Sequence, residues 1–456
     1  MDGSSPARDA IVSPTRRLTR RLIAMRTQPP SSEAMTVAKQ CLLDWLGVTL
    51  AARREPLVGM LADELEPSNA EGACTLLGLG RRASPMNAAL INGAAGHALD
   101  FDDVITVMGH PTAPVAPAVF ALAEVAGASG AQVLQAFIVG LEAECRVGRL
   151  VGPSHYAKGW HTTATFGSFG AAAAAAHLLD LDEEQLLHAF GIAGTQAAGL
   201  KSVFGTMSKP LHAGKAAQNG LLAARLAARG FTSDTDILGS GQGFAATQST
   251  SVDVAAGLED RPQPWVVDAL FKYHAACYLT HNTIEATNAL RGEADLAPDD
   301  IETVAIQVQP VHMGVCNIEA PRTGLECKFS LRMTCALALS GEDTFDEALF
   351  SDANAARGDL IELCRRISVG PTSPCAGSVV TLKLKDGRAL SRTVDVAVPE
   401  RDLAAQQERL EHKFRHLARS GLDPDAVDEI VETCRNLDRE PDLGRLLRAC
   451  WDAISA

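Results

Sequence analysis

The 456-residue chain has no Cys-x-x-Cys pair, no Gly-x-Ser-x-Gly segment and no run of about twenty apolar residues. Its eleven cysteines (Cys41, Cys74, Cys145, Cys277, Cys316, Cys327, Cys335, Cys364, Cys375, Cys434 and Cys450) are scattered and odd in number. That pattern lacks the Cys-x-x-Cys spacing of a tetrahedral zinc site, argues against a disulfide framework, and predicts reduced thiols in a cytoplasm. Without Gly-x-Ser-x-Gly there is no nucleophile elbow of the α/β-hydrolase kind. The most apolar stretches, 164–179 and 186–200, are Ala/Gly/Thr-rich and interrupted, so they read as buried helix and not as a membrane span. Aromatics are scarce, at 5%, and the many Ala and Gly residues favour closely packed helices. Positive charge is also short: 41 Lys and Arg against 55 Asp and Glu leave a net charge of -14. Such a surface repels phosphate backbones and excludes nucleic acid as an expected partner. An anionic substrate would need a local cluster of Lys, Arg and His.

The exception is the start of the chain, where Arg8, Arg16, Arg17, Arg20, Arg21 and Arg26 face two acids, Asp2 and Asp9, before Glu33. No Ser-rich cleavable region follows. The stretch therefore reads as a solvated first helix with Leu18, Leu22 and Ile23 inward, in preference to an organelle-targeting segment.

From about 33 to 260 the pattern is helical. Ser84-Pro85 is an N-cap followed by proline in the first turn, and its helix ends near His97 and Asp100. Pro114 opens a helix to Ala126. Thr162–Leu179 carries six consecutive alanines, Ala171 to Ala176, whose small side chains let another helix approach, in this chain or a second copy. Asp182-Glu183-Glu184 starts the next helix, where the dipole favours acids. Pro210 opens a helix running to about Arg229. After Trp265 the character changes. Val266–Leu290 reads as one long helix, Thr323–Leu339 as another. Val304–Val308, Val379–Leu384 and Ala389–Val396 alternate as strands, with Lys385-Asp386-Gly387-Arg388 as a hairpin turn. The expected fold is therefore mainly α: a large helical domain from 1–265 and 399–456, and a smaller α+β unit at 266–398.

Three glycine motifs fail on context. Gly78-Leu79-Gly80-Arg81-Arg82-Ala83 matches a dinucleotide fingerprint but lacks a βαβ unit around it. Gly239-Ser240-Gly241-Gln242-Gly243 has no preceding strand. Ala213-Gly214-Lys215-Ala216 lacks the hydroxyl that a P-loop uses to hold magnesium.

Four constellations remain. Asp100, Asp102, Asp103 and His110 place acids and imidazole in an apolar region, which suits proton transfer. The alternatives are a hard-cation site and helix-end capping by Asp102 and Asp103. Lys158-Gly159-Trp160-His161 puts His161 at a helix N-terminus, where free N–H groups can hold an anion. In Ser208-Lys209-Pro210-Leu211-His212-Ala213-Gly214-Lys215, Lys209 directly precedes a predicted helix, a placement suited to carboxylate binding. Lys272 stands at the start of the α+β unit, ahead of His274 and His281. Those two histidines are seven residues apart and share a face if one helix runs through both.

These stretches, in this order, resemble the MmgE/PrpD family. The resemblance is carried by Gly96–Asp103, Gly109-His110-Pro111, Gly159-Trp160-His161, Ser208–Lys215 and Thr323–Ser330, and covers nearly the whole chain. It implies a lid role for the α+β domain, a homodimer, and action on a small di- or tricarboxylate without metal or organic cofactor. It implies catalytic positions at Asp100, His110, His161, Lys209 and Lys272. Substrate binding is expected from His161, Lys209 and Lys272, with His212 and Lys215 beside them. The family's activities include 2-methylcitrate dehydration, cis-aconitate decarboxylation and iminodisuccinate epimerisation. The decarboxylase branch has Thr where Val104 stands, His at Cys277 and Tyr at Cys316, which turns the expectation away from decarboxylation. The longer lid motifs of the dedicated methylcitrate dehydratases are also missing, and the leading expectation is a hydro-lyase. The rivals are an epimerase, to whose branch the Val107–Pro111 loop looks closer, a decarboxylase, and a carboxylate-binding scaffold without activity.

Overall fold

The computed structural model describes residues 13–66, 72–294, 296–372, 377–419 and 421–454. Arg8, Asp9 and Cys375 lie outside the described residues. The chain forms two compact units, one from Met1–Ala269 with Ala418–Ala456, the other from Leu270–Leu417. The fold is mainly α, with a smaller α+β unit. No described helix is long and apolar enough to cross a membrane. No disulfide joins the described cysteines.

The first unit opens with α1 (Pro14–Ala24), α2 (Ser32–Ala51) and α3 (Pro56–Leu65). Leu18 and Leu22 of α1 are buried. Its arginines meet acids: Arg16 pairs with Glu183 and Glu184, Arg20 with Glu183, and Arg21 with Asp260. Next, β1 (Cys74–Leu76) and β2 (Arg81–Ala83) form a two-stranded antiparallel hairpin. Gly78 and Gly80 serve its turn, both at positive φ.

The core of this unit is α4 (Pro85–Ala98), α5 (Thr112–Ala126), α6 (Gly130–Ala157), α7 (Thr162–Leu178), α8 (Glu183–Gln196) and α9 (Ser208–Ala227). Small residues let these helices nearly touch. A Cβ on Gly214 would sit 2.1 Å from the Leu90 carbonyl oxygen, and one on Gly93 2.8 Å from Gly214 Cα. Glycine in both helices thus sets the α4–α9 distance. The alanines 171–176 are all buried, and α7 packs on α6 and α9 of the same chain. Their approach is used internally, so this run is not the surface of a dimer. The unit is completed by α10 (Phe244–Gln248), α11 (Val254–Leu258) and, from the far end of the chain, α19 (Pro424–Arg435) and α20 (Gly444–Asp452).

In the second unit, the expected helix over Val266–Leu290 is broken. A short 3-10 turn covers Trp265–Asp268, and α12 runs only from Tyr278 to Ala294. Between them the backbone is drawn to other partners: Ala275 N–H donates to Thr344 O, and Cys277 N–H to Lys328 O. His274 and His281 therefore do not share a helix face, although their rings meet edge to face at 4.9 Å. The sheet has β3 (Ile301–Val308), β4 (Ile367–Pro371), β5 (Ser378–Leu384) and β6 (Ala389–Val394) in the order β4-β3-β5-β6. β3 and β4 are parallel, and the other pairs are antiparallel. Lys385–Arg388 is the β5–β6 hairpin turn, with Leu384 N–H donating to Arg388 O. Val304, Ile306 and Val308 alternate inward and form one core with α12, α15 (Leu331–Leu339) and α17 (Gly358–Arg365). Short helices α13 (Pro310–Cys316), α14 (Gly324–Lys328) and α16 (Asp352–Ala355) link these elements. The expected helix over Thr323–Leu339 is therefore two helices, because Ser330 caps the second. Finally, α18 (Leu403–Ala418) packs in this unit through Arg409, which pairs with Glu285 and stacks on Tyr273. The sequence pattern places everything from Glu400 onward in the helical domain instead.

Candidate active site

In the first unit the C-terminal end of α4 and the chain leading into α5, α7 and α9 supply one cluster of titratable side chains. α4 ends at Leu99, and Asp100 takes the left-handed conformation with φ +50°. Asp is one of the few residues other than Gly that enters this region at modest cost. The turn carries the chain into Asp102 and Asp103, both fully buried. His110 follows just before α5, its N–H donating to Thr163 Oγ1 in the first turn of α7.

His161 is the N-cap of α7, as its place in the sequence predicts, but its ring does not cap the helix. α5 likewise starts without a side-chain cap. By contrast α2, α4, α6 and α8 are each capped by Ser or Asp. Uncapped starts also occur elsewhere, at α3, α17 and α20, so at α5 and α7 they mean only that first-turn N–H groups lack a side-chain acceptor.

Lys209 does not precede its helix, because α9 begins at Ser208 and so includes it. Ser208 and Lys209 N–H donate to Thr206, which extends the first turn ahead of Pro210. A proline so near a helix start removes no needed donor.

The side chains converge. Lys209 Nζ lies 2.9 Å from Asp100 Oδ1, and His110 Nε2 lies 3.2 Å from the same oxygen. On the other edge of the ring, His110 Nδ1 is 3.1 Å from Asp102 Oδ2. Asp102 also accepts from His97 Nδ1 at 3.0 Å. The His97 and His161 rings stack at 5.8 Å, and His161 Nδ1 meets His212 Nδ1 at 3.1 Å. One proton lies between those two nitrogens. His212 reaches this position because residue 199 is glycine. There φ is +145°, and a Cβ would come within 2.6 Å of Ala164 Cβ and 3.0 Å of His212 Nδ1.

Charge follows burial. His161 is pulled down to about 2, first by burial and then by the neighbouring His97 and Lys209. His97 is lowered to about 4, again mainly by burial, against the pull of Asp102. Both rings are therefore neutral at pH 7. The His97–Asp102 contact is then a hydrogen bond to a carboxylate, not an ion pair. Burial opposes the Asp102 charge, but His110 and His97 outweigh it and hold this carboxyl well below its usual range.

Asp103 behaves oppositely. Burial, reinforced by Asp44, pushes it up to about 8, while its Oδ2 accepts from the Thr112 hydroxyl at 2.7 Å. Between about pH 4 and pH 8 the folded chain keeps a proton here that the unfolded chain has released. Stability contributed by this group is full at low pH and is lost as pH rises through that window. Asp103→Asn is expected to reduce the loss in unfolding free energy between pH 5 and pH 8 by about 2 kcal/mol or more. Urea titrations of both proteins at both pH values check this, and identical pH dependence would refute it.

Of the sequence-predicted residues, Asp100, His110, His161, Lys209 and His212 come together. Lys215 is exposed and pairs with Gln218 on its own helix. Lys272 is buried in the second unit, where its charge acts on His281. Asp102 and Asp103 do not cap a helix: one holds imidazoles and the other is bonded to Thr112. His97, an imidazole of the same sequence cluster to which the pattern gives no role, joins the site through Asp102. Its signal in the sequence is a histidine in the last turn of an otherwise apolar helix, five residues before a buried aspartate. His97, Asp100, Asp102 and His110 also offer ligand atoms close enough to surround a metal ion.

Residues 16–256 match the MmgE/PrpD N-terminal domain and residues 274–439 the MmgE/PrpD C-terminal domain. A cis-aconitate decarboxylase of Aspergillus terreus is 28% identical over 459 residues, covering 93% of each chain. The Mus musculus cis-aconitate decarboxylase is 30% identical, over 80% of this chain and 78% of its own. The Homo sapiens protein of that name is 30% identical over 78% and 77%. With both domain matches in sequence order and relatives aligned along most of their length, the chain belongs to the MmgE/PrpD family.

Proposed function

We propose that this chain is a lyase that removes a proton from the carbon beside a carboxylate of a small di- or tricarboxylate. The observation that carries the reading is His110, held between the exposed Asp100 and the buried Asp102, with the Lys209 ammonium on the same Asp100 oxygen. A ring so placed can take a proton on Nε2 while Asp102 steadies the charge at Nδ1. Lys209 and the uncapped starts of α5 and α7 supply positive potential for a substrate carboxylate and for the enediolate-like charge that follows proton loss. Neutral His161 can polarise that carboxylate without competing for the proton.

The leading reaction is loss of water from a hydroxylated polycarboxylate. Decarboxylation of cis-aconitate is the second reading, favoured by the activity named for the relatives. Against it stand Val104, Cys277 and Cys316, where the decarboxylase branch has Thr, His and Tyr. Incubation with citrate-like acids and cis-aconitate in deuterated water, followed by NMR, separates the outcomes. A new alkene proton signal with loss of substrate marks dehydration, and itaconate-type methylene signals mark decarboxylation. Exchange of a C–H for deuterium without net conversion marks epimerase chemistry. An unchanged spectrum for every acid, at enzyme concentrations that bind them, would leave only a binding protein.

A further inference from the structure

Asp343, His412 and His416 of the second unit form a group that the proposed reaction does not use. The two histidines are one turn apart on α18, so their side chains share a face. Asp343 lies in the turn after α15. Its Oδ2 is 3.5 Å from His412 Nε2 and 3.6 Å from His416 Nδ1. These separations are long for hydrogen bonds. They match instead the edge of a tetrahedron, about 3.4 Å, drawn around a zinc ion about 2.1 Å from each ligand.

The surroundings are arranged to the same end. The other nitrogen of His416, Nε2, is 3.3 Å from Asp346 Oδ1. A carboxylate on the outer nitrogen fixes the tautomer and the plane of a ligating imidazole. Asp343 Oδ1 already accepts from Phe345 N–H at 3.2 Å, which leaves Oδ2 toward the rings. The loop is pinned from behind, because Thr344 Oγ1 bonds His274 Nδ1 at 2.7 Å and Thr344 O accepts from Ala275 N–H. Phe345 stands edge-on to the His412 ring at 5.0 Å. The His416 side chain is 8% exposed and that of His412 51%, so the group is walled on one side and open to water on the other.

We propose that Asp343, His412 and His416 bind one divalent ion of the zinc class, with water completing the coordination and Asp346 orienting His416. Two imidazoles with one carboxylate favour such borderline ions over magnesium or calcium, which prefer oxygen ligands throughout. The ion would tie the 341–347 loop to α18.

The test uses the full chain, stripped with chelator and dialysed against zinc chloride at pH 7.5. Because the His97–His110 cluster also offers ligand atoms, variants decide which group is occupied. His412→Ala removes a half-exposed ring, and circular dichroism verifies that it folds. It is expected to lose one zinc equivalent, while Asp346→Asn binds that equivalent about 10- to 100-fold more weakly. Cobalt substituted for zinc should give visible d–d absorption in the parent chain that His412→Ala lacks. Equal zinc uptake at equal affinity by His412→Ala, or no uptake by the parent chain, overturns the proposal. Neither readout depends on turnover, so the result stands apart from the reaction proposed above.

Discussion

Replacing Lys209 with alanine is expected to lower kcat/KM by roughly 30- to 1,000-fold on the substrate found by NMR, and to leave the fold intact. The ammonium is the cation nearest Asp100 and lies in the first turn of α9. Removing one charge-assisted contact to the charge that develops in the transition state costs on the order of 2–4 kcal/mol. His161→Ala should fall in the same range, because it deletes the neutral ring at the start of α7 together with its partnership with His212. Lys215→Ala is the internal control. Its amine is engaged with Gln218, so kcat/KM should change by less than about threefold, within the usual effect of a surface substitution. Steady-state kinetics on the three variants, with circular dichroism, checks the set. Near-normal kcat/KM in Lys209→Ala would remove the cluster from the chemistry.

The second large effect is expected at Asp102. Its carboxylate is fully buried, accepts from His97 and lies against His110. Asp102→Asn keeps the volume but replaces an acceptor with an N–H donor that faces ring nitrogens. Leaving a buried donor without an acceptor costs about 1–3 kcal/mol, and two rings are affected. Unfolding free energy should therefore fall by about 2–4 kcal/mol. Activity should fall by roughly 100- to 10,000-fold, the worth of a correctly protonated acid–base group. Urea denaturation and kinetics measure the two independently. A variant with unchanged stability and activity would show that Asp102 neither orients nor charges the imidazoles.

Much of this site is legible in the sequence because its parts sit beside helix punctuation. His161 stands before a long Ala-rich helix, and Lys209 and His212 flank Pro210. Asp100 follows the end of a helix whose start is marked by Ser84-Pro85. Asp102 and His97 are harder to read, since local pattern makes an aspartate near a helix end a cap. Only packing of α4 against its neighbours turns Asp102 inward onto two rings. The same limit explains the segment 270–277. In sequence this segment is part of the stretch Val266–Leu290 that reads as one helix, but Thr344 and Lys328, far along the chain, take the hydrogen bonds a helix would need. Lys215 shows the opposite failure: it sits within a suggestive stretch, and the turn of α9 carries it outward. The hairpin at 385–388 and the alternation in β3 are read correctly because both are local in origin.

The first unit is closed by the end of the chain. Lys39 of α2 pairs with Asp438, and Gly130 N–H, at the start of α6, donates to Glu440 O. During synthesis those partners leave the ribosome only after the whole of Leu270–Leu417 has been made. The second unit has its own core and can collapse while the first still lacks its final helices. Assembly is therefore set by a long loop closure, whose entropy grows slowly with loop length but which delays folding. A stop codon shortly before α19 would leave the Asp100–Lys209 cluster encoded in full, on a helical body with its seam open. A nascent chain in that condition shows apolar surface to chaperones for as long as translation of the second unit takes.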